Sequence, residues 1–165
     1  MKQLNYQTLQ DLNYDGYLLN EAPERVLQFG EGNFMRAFVD FFIDKMNETA
    51  NFNSKVVLVQ PIPKFTTPDV GDFINEQEGL YTLYLRGSEN GQEVSSKRVI
   101  SCISRCLNAY SDYEAVMECA KKSRTAFHHL QYNRSRNRIR SVLPVYRYAC
   151  KQLSCQTDTI FVQTI

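Results

Sequence analysis

Gly30 and Gly32 stand two residues apart, directly after the short apolar run Val26 to Phe29 and directly before a helix-like pattern, within QFGEGNFMRAFVDFF. A strand, a tight glycine turn and a helix start together form a receiver for the pyrophosphate of a dinucleotide. Side chains in such a turn would block the backbone's approach to phosphate, and the first N–H groups of the helix point at the anion. The residues of the turn, Gly30, Glu31, Gly32, Asn33 and Phe34, are therefore the candidates for that contact.

The flanking elements fit the chemistry. Arg25 to Phe29 has strand character, and Phe34, Phe38, Phe42 and Met46 recur at i+4 beside a second i+4 row of Arg36, Asp40 and Asp44. This pattern predicts an apolar core face and a solvated charged face. A second apolar run, Val56 to Val59, completes a strand–helix–strand unit of the length a parallel crossover needs. Two positions depart from the dinucleotide fingerprint. Met35 stands where a third glycine would let helix and strand pack closely, which predicts a wider turn. After the second strand Gln60 replaces the expected ribose-binding carboxylate; its amide can bond a ribose hydroxyl but does not repel a 2′-phosphate, and Lys64 is near enough to attract one. The residues alone leave NAD and NADP both open.

Further along, the three prolines of PIPKFTTP, Pro61 to Pro68, predict a loop. Leu80 to Arg86 reads as a strand, Ser88 to Gly91 as a turn and Glu93 to Ser104 as the returning strand of a hairpin. Ser111 and Glu114 have capping-box spacing ahead of a helix whose apolar side is Tyr113, Val116, Met117 and Ala120. Cys102, Cys106 and Cys119 lack paired ligand spacing and read as reduced core residues, so no metal is assigned.

Several blocks carry a resemblance: QFGEGNFMRAFVDFFIDKMN, then VVLVQPI, GLYTLYLRG and ISCISRCLNAYSDYEAVMECAKK. From about Arg25 to Lys122 the chain resembles the mannitol dehydrogenase family of long-chain polyol dehydrogenases, in its hexuronate-reducing branch. The family turn G-x-G-x-F-x-R-A is matched by Gly30, Gly32, Phe34, Arg36 and Ala37. Mannitol-specific members usually carry histidine where this chain has Met35. The resemblance implies NAD as cofactor, Arg36 as a further site residue, and reversible hydride transfer between NAD and a secondary alcohol, here reduction of tagaturonate to altronate. It also implies a catalytic lysine and substrate-holding asparagine and histidine in a helical second domain. No motif here matches them, so no catalytic residue is assigned, and a hexuronate substrate belongs to the full-length relative.

Composition changes abruptly near Ser123. Residues 1–122 hold 12 Lys and Arg against 17 Asp and Glu, net −5, whereas residues 123–165 hold 7 against 1, net +6, and all seven glycines precede the change. Arg134, Arg136, Arg138 and Arg140 suggest an arginine-rich nucleic-acid arm, the alternative to the enzyme reading. The genetic code argues against it. Permitted codons for Ser123 to Ser141, read one base later, yield PELRFIISNTTEAGIAYE, which restores the Ser-Asn-Thr-Thr-Glu-Ala-Gly loop expected of the family; a second stretch, Ala149 to Ile165, behaves likewise. The expectation is a one-base frame change near codons 121 to 123. Residues 1–122 are then the first part of the NAD-binding domain, residues 123–165 an out-of-frame basic tail that does not pack against it, and the substrate domain is absent.

The fold expected is α/β, an incomplete doubly wound, Rossmann-like dinucleotide-binding domain with an inserted β-hairpin. No apolar stretch is long enough to span a membrane, the N-terminus lacks signal-peptide order, and five cysteines form no framework, which together predict a cytoplasmic protein.

Overall fold

The computed structural model describes residues 3–64, 68–89, 91–121 and 160–164. In chain order the elements are α1 (Tyr6–Asp11), β1 (Glu24–Phe29), a π-helical turn (Met35–Asp40) running into α2 (Phe41–Ala50), β2 (Lys55–Gln60), α3 (Val70–Glu76), β3 (Tyr81–Glu89), β4 (Gln92–Ile100), β5 (Ile103–Asn108), α4 (Tyr113–Lys121) and β6 (Ile160–Thr164).

Strands β1, β2 and β5 form a parallel sheet in that order, with β2 in the middle and buried along its whole length. A near-continuous run of Val and Leu is what a strand covered on both faces requires. Its side chains alternate: Val56 and Leu58 pack with Ile43, Met46, Leu83, Ile100 and Ile103 on one side, while Val57 and Val59 pack with Leu27, Leu107, Val116 and Cys119 on the other. Helical layers on both faces make the sheet doubly wound, as expected. The hairpin β3–β4 is antiparallel from Tyr81↔Ile100 to Glu89↔Gln92 and caps the face that carries α2.

Four features differ from the sequence reading. The strand expected from Glu93 to Ser104 is two strands, because the chain breaks after Ile100 and resumes at Ile103 in the parallel sheet. An unbroken β-prone run hides this break, which is held by Asp44 accepting the Ser101 N–H at 2.9 Å. The Asp40 and Asp44 row is not solvated; both carboxylates are fully buried, whereas Phe34 is 49% exposed and Phe38 and Phe42 are only half-buried. A π-turn takes more residues per turn than an α-helix, so i+4 rows drawn across Met35–Asp40 drift off the face they mark. In α4 the buried positions are Val116 and Cys119, with Tyr113 and Met117 exposed. Finally, β6 pairs antiparallel with β3, from Leu83↔Thr164 to Gly87↔Ile160, so the expectation that the tail stays apart does not hold for this strand. The outer edge of β3 offered unpaired backbone groups, and Ile160-Phe-Val is β-prone. Arg134 to Arg140 and the rest of residues 122–159 lie outside the described residues.

Candidate dinucleotide site

The turn after β1 starts at the carboxyl edge of the sheet, where Gly30 N–H donates to the Val59 carbonyl at 2.8 Å. Carboxyl edges are where open parallel sheets bind ligands. Gly30 has φ +108, a conformation that side-chain-bearing residues avoid, so its glycine is demanded by the backbone. Gly32 differs. Its φ is not positive and a Cβ built there meets nothing within 4 Å, so neither backbone nor packing requires a glycine. What a side chain would occupy is the open space in front of the helix start.

That helix begins at Asn33, with Arg36 N–H donating back to the Gly32 carbonyl at 3.1 Å. The N–H groups that precede it have no partner inside the helix and supply anion donors. The Arg36 guanidinium clamps the turn from within: Nε donates to the Glu31 carbonyl at 2.9 Å, Nη2 to Asn33 Oδ1 at 2.5 Å, and the group lies 5.6 Å from the Tyr81 ring centre. Gly30, Glu31, Gly32, Asn33, Phe34 and Arg36 thus form one local unit, with Arg36 acting on the turn's shape.

Gln60 closes β2 on the neighbouring strand. It is buried, and its Oε1 accepts from Asn108 Nδ2 at 3.1 Å at the end of β5. Asn108 also donates to the Ile62 carbonyl and accepts from the Tyr110 N–H, so it fixes the loops after both strands. The sequence reading missed Asn108; its position as the last residue of the third parallel strand would have pointed to it. Also missed was α3, whose Asp69 and Asp72 form a reciprocal capping box. Asp72 pairs with Lys64 at 2.5 Å, and Asp69 and Asp112 add to the negative field that raises the Lys64 pKa.

Beneath the turn lies a buried polar group. The Tyr81 hydroxyl donates its one proton to the Arg36 carbonyl at 2.7 Å, with Asp40 Oδ2 3.3 Å from the same oxygen, and the Cys102 thiol donates to the Asp40 carbonyl at 3.3 Å. Gln28 Nε2 donates to the Gly30 carbonyl at 3.2 Å. Burial pushes the Asp40 carboxyl up to about 7, against the lowering effect of Tyr81, Gln28 and Arg36. The consequence for stability has a definite sign. Below the unfolded value of 3.8 both states hold the proton; between there and about 7 only the folded state does, so stability declines as pH rises through that window and levels off above it. Chemical denaturation at several pH values should show this decline, on the order of 1 kcal/mol per pH unit or somewhat less, and Asp40→Asn should remove it.

Comparison with known proteins places these elements in a wider group. The model of the mannitol dehydrogenase Rossmann domain matches residues 24–129. Altronate oxidoreductase of Bacillus subtilis is 43% identical over 122 residues, covering 72% of this chain and 24% of the relative; that of Phocaeicola vulgatus is 46% identical over 116 residues, covering 70% and 23%. The chain thus spans about a quarter of the length of the curated relatives it matches. Among solved structures, a D-sorbitol dehydrogenase superposes with a TM-score of 0.63 at 21% identity over 78% of this chain and 27% of its own. The Pseudomonas fluorescens mannitol 2-dehydrogenase, in a ternary complex with NAD and D-mannitol, gives 0.55 at 26% identity over 71% and 24%. No helix among the described residues is long and apolar enough to cross a membrane.

Proposed function

The chain belongs to the mannitol dehydrogenase family, whose Rossmann domain its residues 24–129 match, and from that premise we propose that the Gly30 to Arg36 turn binds the pyrophosphate of NAD. The observation that carries this reading is the open space at Gly32, a glycine that no described residue requires, set before the first N–H groups of a helix. Bound NAD would supply a hydride acceptor or donor at its nicotinamide. The chain's own contribution is to hold the dinucleotide. The turn would receive the phosphates, Arg36 keeps the turn in shape, and Gln60, its oxygen engaged by Asn108, would offer its amide nitrogen to a ribose hydroxyl. The carboxylates around Lys64 support NAD over NADP, because a 2′-phosphate would meet Asp69, Asp72 and Asp112 with the Lys64 ammonium already paired to Asp72.

The finer reading is that the chain is the first part of an altronate oxidoreductase, reducing tagaturonate to altronate, and that on its own it holds cofactor without turning substrate over. Hydride transfer needs the nicotinamide fixed near the carbonyl and a general acid at the developing alkoxide, and each typically contributes orders of magnitude in rate. The segment matched to the relatives carries the pyrophosphate turn, and the frame change proposed near residue 122 removes the loop that would follow it. Purified 165-residue protein should bind NAD and show no oxidation of NADH with tagaturonate above background. The frame-restored, full-length gene product should show both. Turnover by the short chain, or none by the restored one, overturns the finer reading; absence of NAD binding by either overturns the site.

A further inference from the structure

At the carboxyl end of the sheet the Asn108 side chain is oriented by backbone groups. Its Oδ1 accepts from the Tyr110 N–H at 2.9 Å and from the Ser111 N–H at 3.4 Å, and one Nδ2 proton goes to the Ile62 carbonyl at 3.0 Å. Backbone N–H groups only donate and carbonyls only accept, so this carboxamide has one permitted orientation. Its second Nδ2 proton needs an acceptor, and the Gln60 atom that meets it at 3.1 Å is therefore Oε1. Gly71 at the start of α3 packs over the same oxygen, since a Cβ there would lie 3.6 Å from it. The Gln60 carboxamide is thereby fixed in turn. Its nitrogen has no partner among the described residues, and it is not one of the buried polar atoms left without one, so the NH2 is the polar group Gln60 offers outward.

We propose that Asn108 is a positioning residue for the ribose end of the dinucleotide: it locks Gln60 with its NH2 outward, so that the end of β2 presents a hydrogen-bond donor and a ribose hydroxyl oxygen is the acceptor. This rests on the proposed binding of NAD at the turn. Gln60 and Asn108 are partners in the parallel ladder, and the Ala109 N–H donates to the Gln60 carbonyl at 3.0 Å, so backbone and side chains hold the pair together. The lock acts on affinity through entropy. An unrestrained glutamine amide presents oxygen or nitrogen with similar ease and must give up that freedom when the ligand binds, whereas a locked one has given it up on folding. The lock also sets polarity. A carboxylate at this place would accept from ribose hydroxyls, and the fixed amide donates instead, without adding a charge.

The test uses the full chain. In ¹⁵N NMR the Gln60 side-chain NH2 should exchange freely with solvent and shift on addition of NAD, while the Asn108 NH2 should exchange slowly and stay in place. Asn108→Asp removes the donor and leaves an acceptor, so the Gln60 amide should turn over, its NH2 becoming protected and no longer responding to NAD. Calorimetry with NAD completes a double-mutant cycle. Asn108→Ala should raise the dissociation constant about three- to tenfold, and should change it little when Gln60→Ala is already present. An equal loss in both backgrounds would show that Asn108 serves only as loop scaffold, and overturns the proposal. So does a wild-type Gln60 NH2 that is protected from exchange. Should Asn108→Ala fail to fold, the wild-type spectra still decide. Absence of NAD binding by the wild type overturns the site at the turn, and the ribose role with it, whereas NAD heat with an unmoved Gln60 amide overturns the ribose role alone.

Discussion

Asp44→Ala is expected to cost about 3–5 kcal/mol, the largest loss of stability from any single side chain in the helix that follows the turn. Asp44 is fully buried and accepts from β4 and from the β4–β5 connection. It accepts from Arg98 Nε at 2.8 Å and from Nη2 on β4, from the Ser101 N–H at 2.9 Å where β4 ends, and from Ser101 Oγ at 3.2 Å. Ser101 Oγ in turn accepts the Leu19 N–H of the N-terminal segment at 2.8 Å. The Arg98 side chain is 14% exposed, so removing Asp44 leaves an arginine with Glu48, at 2.9 Å, as its one counter-charge among the described residues, together with an orphaned buried N–H. Breaking a buried pair on one side is costlier than replacing both partners, because the remaining charge keeps its desolvation penalty without its compensation. Small domains have only about 5–15 kcal/mol in total, so the substitution should move the urea midpoint close to zero or abolish the transition. Adding Arg98→Met to Asp44→Ala should recover part of the loss. A loss below about 1 kcal/mol, typical of a surface pair, would show that Asp44 does not hold the strand break.

The same residue explains where the sequence was legible and where it was not. The glycine turn, both flanking strands and the crossover were readable because each signal is local: Gly30 needs its backbone conformation, and Val56 to Val59 is a run that only a covered strand uses. The acidic face of the helix was misread because Asp40 and Asp44 look solvated until their partners are known. Those partners, Tyr81, Arg98 and Ser101, lie 41 to 57 residues away. No periodicity within a helix reports them, and the π-turn shifts the periodicity itself. Likewise Ile100-Ser-Cys-Ile103 gives no local sign of leaving one sheet for another, since the turn is enforced by Asp44 from across the core. Met35 is buried where a third glycine would otherwise stand, at the start of the π-helical stretch Met35–Asp40. The ribose end was half legible: Gln60 could be found by its place after β2, but the Asn108 amide that orients it comes from a strand 48 residues on.

Gly32→Val should abolish NAD binding while leaving the fold nearly intact, and its contrast with Gly30→Ala separates a ligand-facing glycine from a structural one. At Gly32 a Cβ meets nothing within 4 Å and the backbone is not left-handed, so a branched side chain is tolerated by the free protein. Its cost there is that of exchanging an N-cap glycine for a poor cap, roughly 1 kcal/mol or less. In the complex the two methyl groups would fill the space before the Asn33 and Phe34 N–H groups, where a pyrophosphate must come within hydrogen-bonding distance of about 3 Å, and no rearrangement of one side chain reopens a backbone approach. At Gly30 the balance reverses. With φ at +108, Gly30→Ala forces a strained conformation costing about 1–3 kcal/mol before any ligand is present, and it disturbs the Gly30 carbonyl that Gln28 holds. Thermal unfolding and calorimetric titration on the two variants decide the matter: Gly32→Val should melt within a few degrees of the parent with no measurable NAD heat, and Gly30→Ala should melt clearly lower. An NAD titration of Gly32→Val that overlays the parent would remove the open space at Gly32 as the argument for a dinucleotide site.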